Sequence, residues 1–247
     1  MSEDVLRLFG DNLQHFAIVF ARLSAFFALL PAFGEQSVPA RIKLALAFAM
    51  SLVVAPAVIE TPQTTALLFA IIPEILIGAA LGFALRLFVI ALQVAGVIAA
   101  QSTSLAQLFA GASAEPLPAL GHILVISGIT LLVILGFHVK ATEFFVLSYD
   151  LFPMGQYPSA DVFSDWGTSN ISRAFGLAFS LAAPFVILGT IYNLALGAIN
   201  RAMPQLMVAF VGAPLITMGS LVLLLISAPF ALQAWVLAVD SFLGGGG

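Results

Sequence analysis

Six stretches of this chain, residues 13–33, 42–59, 67–100, 122–147, 171–199 and 206–239, run for 18 residues or more with few charges or none. A helix needs about 20 consecutive apolar residues to cross the hydrocarbon of a bilayer, so each stretch is a candidate spanning segment. The chain is 62% hydrophobic and 8% charged over 247 residues, with a mean hydropathy of +1.13. That leaves too little polar surface to clothe a soluble domain of this length. The expected fold class is an all-α membrane protein of about six hydrophobic helical segments, and residues 1–247 read as a single membrane domain. The segments 67–100 and 206–239 exceed a straight crossing, and the second contains Pro214 and Pro229. Proline removes a backbone donor and bends a helix. These long segments are therefore expected to be kinked or hairpin-like, with neighbouring protein meeting the freed carbonyls that lipid cannot.

Charge excludes several functions. Eight Lys and Arg against twelve Asp and Glu form no basic patch for a phosphate backbone, so nucleic acid is not an expected partner. The absence of cysteine removes thiolate chemistry and disulfides. The start MSEDVLRLFGDNL has the wrong sign for a signal peptide, and the first apolar segment is expected to be retained. Basic residues favour the connections 34–43 and 200–205, which places the first, third and fifth connections in the cytoplasm and both termini outside.

Charges inside apolar segments cost a few kcal/mol each at the middle of a spanning helix. Arg22, Glu74, Arg86 and Arg173 are such charges. Glu74 and Arg86 stand twelve residues apart, about 18 Å of rise and about 120° of rotation on one helix. They cannot pair with each other there, and each needs another partner: the readings are a proton or ion relay, an anchor at the membrane edge or a salt bridge between subunits. Gly78 and Gly82 share one helical face at the small-xxx-small spacing that lets two backbones approach. His15, His122 and His138 lie on different segments without a carboxylate at ligand spacing, so no metal site and no cofactor is expected. No nucleophile elbow, phosphate loop or paired intramembrane aspartate is present, and the chain is not read as an enzyme.

The connection 101–121 is short of charge for its length: Glu115 is the single charge among Ser102, Thr103, Ser104, Gly111, Ser113 and two prolines. A segment this apolar is expected to be buried. It can be a re-entrant stopper whose Leu105, Leu108 and Phe109 close a constriction by excluding water, or a helical hairpin packed on its own protein. In GAINRAMPQLMVAFVGAPLI the polar residues Asn200, Arg201 and Gln205 surround Pro204, which prevents one continuous helix.

The segment PEILIGAALGFALRLFVIALQVAGVIAAQ (73–101), followed by YNLALGAINRAMPQLMVAFVGAPL (192–215), resembles the flagellar biosynthesis protein FliR and its counterparts in virulence type III secretion systems. LLPAFGEQSVPARIKLALAFAMSLVVAP (29–56) fits the same pattern, so the resemblance covers nearly the whole chain. It implies an R-type export-gate subunit at the flagellar basal body in the bacterial inner membrane, built into a helical hetero-oligomer with P-type and Q-type chains. The B- and A-type export components would be further neighbours, and unfolded export substrates would pass through. It also implies a P-like half over 1–121, with a plug loop at about 101–121, and a Q-like C-terminal half within 122–247. Leu105, Leu108, Phe109, Gly111 and Ser113 become plug residues. Glu74, Gly78, Gly82, Arg86, Asn200, Arg201, Pro204 and Gln205 become packing residues between helices or subunits. Ser102 and Thr103, where a methionine and glycine are common, and Ala110-Gly111, where Asp-Pro is frequent, depart from many relatives. The rival readings are a solute transporter or channel acting alone, with a site at Glu74 and Arg86 on broken helices, and an assembly scaffold that lines no conduit.

Overall fold

The computed structural model describes residues 3–35, 38–59, 67–109, 119–203 and 208–244. Over these it contains seven α-helices: α1 (Glu3–Leu29), α2 (Ala40–Val54), α3 (Leu67–Phe109), α4 (Ala119–Ile134), α5 (Phe137–Leu151), α6 (Ala160–Ala202) and α7 (Val208–Leu243), with a short 3-10 turn at Ala55–Ala57. No strand occurs among the described residues. Five helices are long and apolar enough to cross a membrane, and six if α4 and α5 count as one broken span. The chain is thus an all-α membrane protein.

Several boundaries differ from those read along the sequence. The fourth apolar segment breaks at Gly136, whose φ of 76° lies in the left-handed region that glycine enters without strain. Helix α3 runs on through Phe109, so residues 101–109 are helical and belong to no connection. The Ser102 hydroxyl donates to the Ile98 carbonyl at 2.7 Å and the Thr103 hydroxyl to Ala99 at 3.1 Å. Short polar side chains that bond back to the preceding turn sit in a helix without exposing an unmet donor, which is why this polar run does not end the helix. Helix α6 starts at Ala160, well before the apolar run at 171, and Asp161 in its first turn complements the positive end of the helix dipole. Helices α3 and α6 have 43 residues each, about 65 Å at 1.5 Å per residue, roughly twice the hydrocarbon thickness.

The described chain forms two compact units: residues 1–87, 132–171 and 240–247 make the first, residues 88–131 and 172–239 the second. Each draws on both halves of the sequence. In the first unit α1 packs on the N-terminal part of α3 through glycine. A Cβ on Gly78 would run into the Arg22 carbonyl oxygen, and one on Gly82 would stand 2.6 Å from the Phe26 carbonyl oxygen. Aromatic rings fill the space around this contact: Phe26 lies 5.4 Å from Phe145, and Phe145 lies 5.8 Å from Tyr149, edge to face. Phe16, Phe20 and Phe48 hold α2 against α1. At the surface of this unit Lys140 pairs with Asp240 at 2.8 Å.

In the second unit the same device recurs. Gly96 of α3 touches Gly121 of α4 backbone to backbone, and Gly189 of α6 abuts the Ser102 carbonyl. Trp235 of α7 is fully buried, and its indole N–H donates to the Phe88 carbonyl at 2.7 Å. That bond anchors the C-terminal helix to α3 and gives the one polar atom of a large apolar side chain its partner.

Gly78→Ala should therefore lower the stability of the purified chain by about 1–3 kcal/mol, the usual cost of overpacking. Nothing lies within 4 Å of a Cβ built on Gly176, so Gly176→Ala should be neutral or stabilising by up to about 1 kcal/mol through helix propensity. Thermal unfolding of the two variants in detergent checks the contrast.

Candidate functional site

The arrangement around Glu74 follows from the register of α1 and α3. Contacts that pair Arg22 with Gly78 and Phe26 with Gly82 mean that the two helices run parallel in phase. Side chains on a helix lean toward its N-terminus. From a backbone position beside Gly78, the Arg22 side chain therefore reaches back one turn of α3, which is where Glu74 stands. Glycine at 78 is what brings the two backbones close enough.

The result is a buried fork. Arg22 Nε donates to Glu74 Oε2 at 2.6 Å and Nη2 donates to Oε1 at 3.0 Å, with both side chains fully buried. Nη2 also donates to the Phe152 carbonyl at 2.8 Å, and Nη1 to the Ser148 hydroxyl at 3.3 Å. The Ser148 hydroxyl in turn donates to the Phe145 carbonyl at 2.6 Å. The guanidinium carbon sits 3.7 Å from the centre of the Tyr149 ring, a cation–π contact that strengthens when both groups are desolvated. The Gly155 N–H donates to Glu74 Oε1 at 2.8 Å. Gly155 has a φ of 72°, and that turn after α5 aims the N–H at the carboxylate. One ion pair thus ties α1, α3, α5 and the chain leaving α5.

Among the residues singled out from sequence, Glu74, Gly78 and Gly82 come together here, with Arg22 as the partner Glu74 required. Arg86 is half-buried one face away, and no partner for it lies among the described residues. Asn200 and Arg201 are exposed at the C-terminal end of α6, where the cation complements the negative end of the dipole. Pro204 and Gln205 lie outside the described residues. So do the side chains of Leu105, Leu108 and Phe109, and Gly111 and Ser113 entirely. Arg173 is exposed, His122 and His138 are exposed, and the half-buried His15 ring bonds the Ala55 carbonyl at 3.0 Å. No three His, Asp or Glu side chains gather around one point among the described residues.

Sequence reasoning missed Ser148, Tyr149, the Phe152 carbonyl and the Gly155 amide, because they lie beyond the fourth apolar segment, 122–147. A buried arginine needs several acceptors, which was a signal that such a cluster exists, but not where it lies.

Chemically this is a closed clamp. Both carboxylate oxygens hold donors, neither charge has contact with solvent, and no solute can reach Glu74 without opening the unit. The molecule is a helical membrane protein whose internal charge is spent on holding helices together. A family model described as bacterial export proteins, family 1, matches residues 13–242. The chain belongs to that family. It is 34% identical over 226 residues to the flagellar biosynthetic protein FliR of Caulobacter vibrioides, covering 89% of this chain and 90% of the relative. It is 32% identical over 205 residues to FliR of Escherichia coli K12, covering 80% and 78%. With FliR of Bacillus subtilis it shares 26% over 225 residues, covering 87% and 86%.

Glu74→Gln should destabilise the chain by about 3–5 kcal/mol, since it strands a buried guanidinium. The double variant Arg22→Met, Glu74→Leu should recover most of that loss, because an apolar pair of similar volume has no desolvation to repay. Arg22→Lys alone should also destabilise the chain, since lysine lacks the fork geometry that meets both carboxylate oxygens. Unfolding midpoints in detergent separate these outcomes.

Proposed function

We propose that this chain is the R-type subunit of the flagellar protein export gate in the bacterial inner membrane, where it lines the conduit for unfolded substrates and helps seal it at rest. The match to the bacterial export proteins over residues 13–242 carries the reading, and it supports a role in flagellar protein export through the FliR relatives.

Two features of the structure fit a subunit that works among others. Helices of about 65 Å are longer than a bilayer crossing demands, and their outer faces are apolar: Leu194 is 70% exposed on α6, and Leu225 78% on α7. Only 17% of the span Pro214–Leu243 is buried within the chain. P-type and Q-type subunits would cover such faces, with the B- and A-type export components as further neighbours. A closed, dry Glu74 argues for the gate over a solute transporter, which would need that charge within reach of its substrate.

The seal is assigned to the end of α3 and the connection after it, with Leu105, Leu108, Phe109, Gly111 and Ser113. An apolar constriction excludes ions by dewetting and yields when a polypeptide is driven through it. The subunit itself is not enzymatic in this reading and binds no cofactor. The corner at Asn200, Arg201, Pro204 and Gln205 is assigned to a subunit contact.

Deleting residues 106–114 should raise the ion conductance of cells that express the assembly. Unchanged conductance with normal assembly overturns the seal. Arg201→Ala should lower recovery of co-expressed P-type and Q-type chains by about tenfold, the scale of one interface hot spot, and reduce secretion in parallel. Unchanged recovery and secretion remove the corner from the interface.

A further inference from the structure

In the first unit an open groove of about 390 Å³ lies between α2 and α5. Met50 lines it from α2, and His138, Val139, Thr142, Glu143 and Val146 line it from α5. The Glu143 side chain is exposed, and among the described residues no Lys, Arg or His nitrogen lies within 4.0 Å of its carboxylate. Lys140, one turn back on the same helix, is committed to Asp240 at 2.8 Å. The Thr142 hydroxyl donates to the His138 carbonyl at 2.7 Å, so its single proton is spent as well.

Depth decides what that carboxylate needs. Met50 stands near the middle of the candidate span Ala40–Ala57. Sharing a groove with Met50, Glu143 lies at the level of that middle. The surround is apolar: Val53 is exposed one turn from Met50, and Val139 and Leu147 are exposed one turn before and one turn after Glu143. A charge at that depth is costly unless it meets protein or water. Glu74, the other carboxylate set among apolar helices of this unit, finds its guanidinium inside the chain. Glu143 does not.

The missing counterpart is a cation that reaches mid-span. A lipid amine sits at the headgroup, about 15 Å from the bilayer midplane, and stays there. A lysine or arginine on a neighbouring helix can stand at the required depth. Its aliphatic stem would lie along Met50, Val139 and Val146 while its head meets the carboxylate, the usual division of labour in such side chains.

We propose that the groove between α2 and α5 is a docking site for a helix of a neighbouring polypeptide that presents a lysine or arginine to Glu143. The site rests on the subunit role in the export gate, and adds which face docks and which charge the neighbour carries there.

The full chain is co-expressed in cells with its P-type and Q-type chains, with photoreactive benzoylphenylalanine at position 147 on the rim of the groove. After irradiation the assembly is purified and the crosslinked peptide is identified by mass spectrometry. The crosslink should fall on another polypeptide, within about two helical turns of a lysine or arginine. Glu143→Gln should lower recovery of that polypeptide by about tenfold or more, the scale of a lost charge contact. The unfolding midpoint of the variant purified alone should match that of the native chain, since among the described residues no ion pair or hydrogen bond involves the Glu143 carboxylate. Glu143→Lys should abolish recovery, and replacing the neighbour's basic residue by glutamate should restore most of it. A crosslink to lipid alone, a crosslinked segment without a basic residue, or an assembly that both Glu143 variants leave intact overturns the docking site and leaves the gate reading standing. So does a fall in the unfolding midpoint that accounts for the lost recovery. A native chain that recovers no P-type or Q-type chain overturns the gate reading, and the docking site with it.

Discussion

The structure of the first unit depends on a charge pair that could not exist in lipid unpaired. Arg22 and Glu74 are fully buried and joined by two hydrogen bonds of 2.6 and 3.0 Å. A buried pair is weak evidence for net stability, because desolvation offsets most of the attraction. Its effect is specificity. Once both charges are inside, only an arrangement that supplies the remaining acceptors and donors is tolerable, and the Phe152 carbonyl, Ser148 hydroxyl, Tyr149 ring and Gly155 amide supply them. The pair thereby selects one placement of α5 against α1 and α3 from among many that apolar burial alone would permit, since hydrophobic contact is non-directional.

Glycine makes the pair geometrically possible. Gly78 and Gly82 let α1 lie against α3 backbone to backbone, and the parallel register then turns the N-terminal lean of the Arg22 side chain into contact with Glu74. Packing and electrostatics are one device here: a side chain at 78 would separate the helices and lengthen both hydrogen bonds of the fork. The second unit achieves close approach the same way at Gly96, Gly121 and Gly189, but fastens it with an indole-to-carbonyl bond in place of an ion pair. In apolar surroundings, where helix association gains little from hydrophobic burial, small residues and a few well-met polar groups provide the specificity.

Outward surfaces carry the other half of the functional argument. A membrane protein that buries the Arg22–Glu74 pair inside and shows leucine, isoleucine and phenylalanine over much of its exterior has committed those faces to lipid or to other apolar chains. For a bacterial export protein the two uses are compatible. The faces of α6 and α7 suit subunit contacts.

Much of the fold was legible in the amino-acid sequence. Apolar runs of spanning length dictate helices, since no other single segment meets its own backbone hydrogen bonds in lipid. An isolated charge such as Glu74 calls for a partner, and the glycines at 78 and 82 mark a face where another backbone comes close. These are local properties that periodicity and composition encode directly. Tertiary structure alone decided that the partner of Glu74 is Arg22, 52 residues away, and that Arg86 takes no part. It also decided that the chain breaks at Gly136, that α3 continues to Phe109 and α6 begins at Ala160, and that Trp235 finds the Phe88 carbonyl across 147 residues. The physical reason is that a buried charge or indole states what it needs but not where to find it. The answer depends on which distant backbone the packing of whole helices brings within about 3 Å, the reach of a hydrogen bond, and no pattern along one segment carries that information.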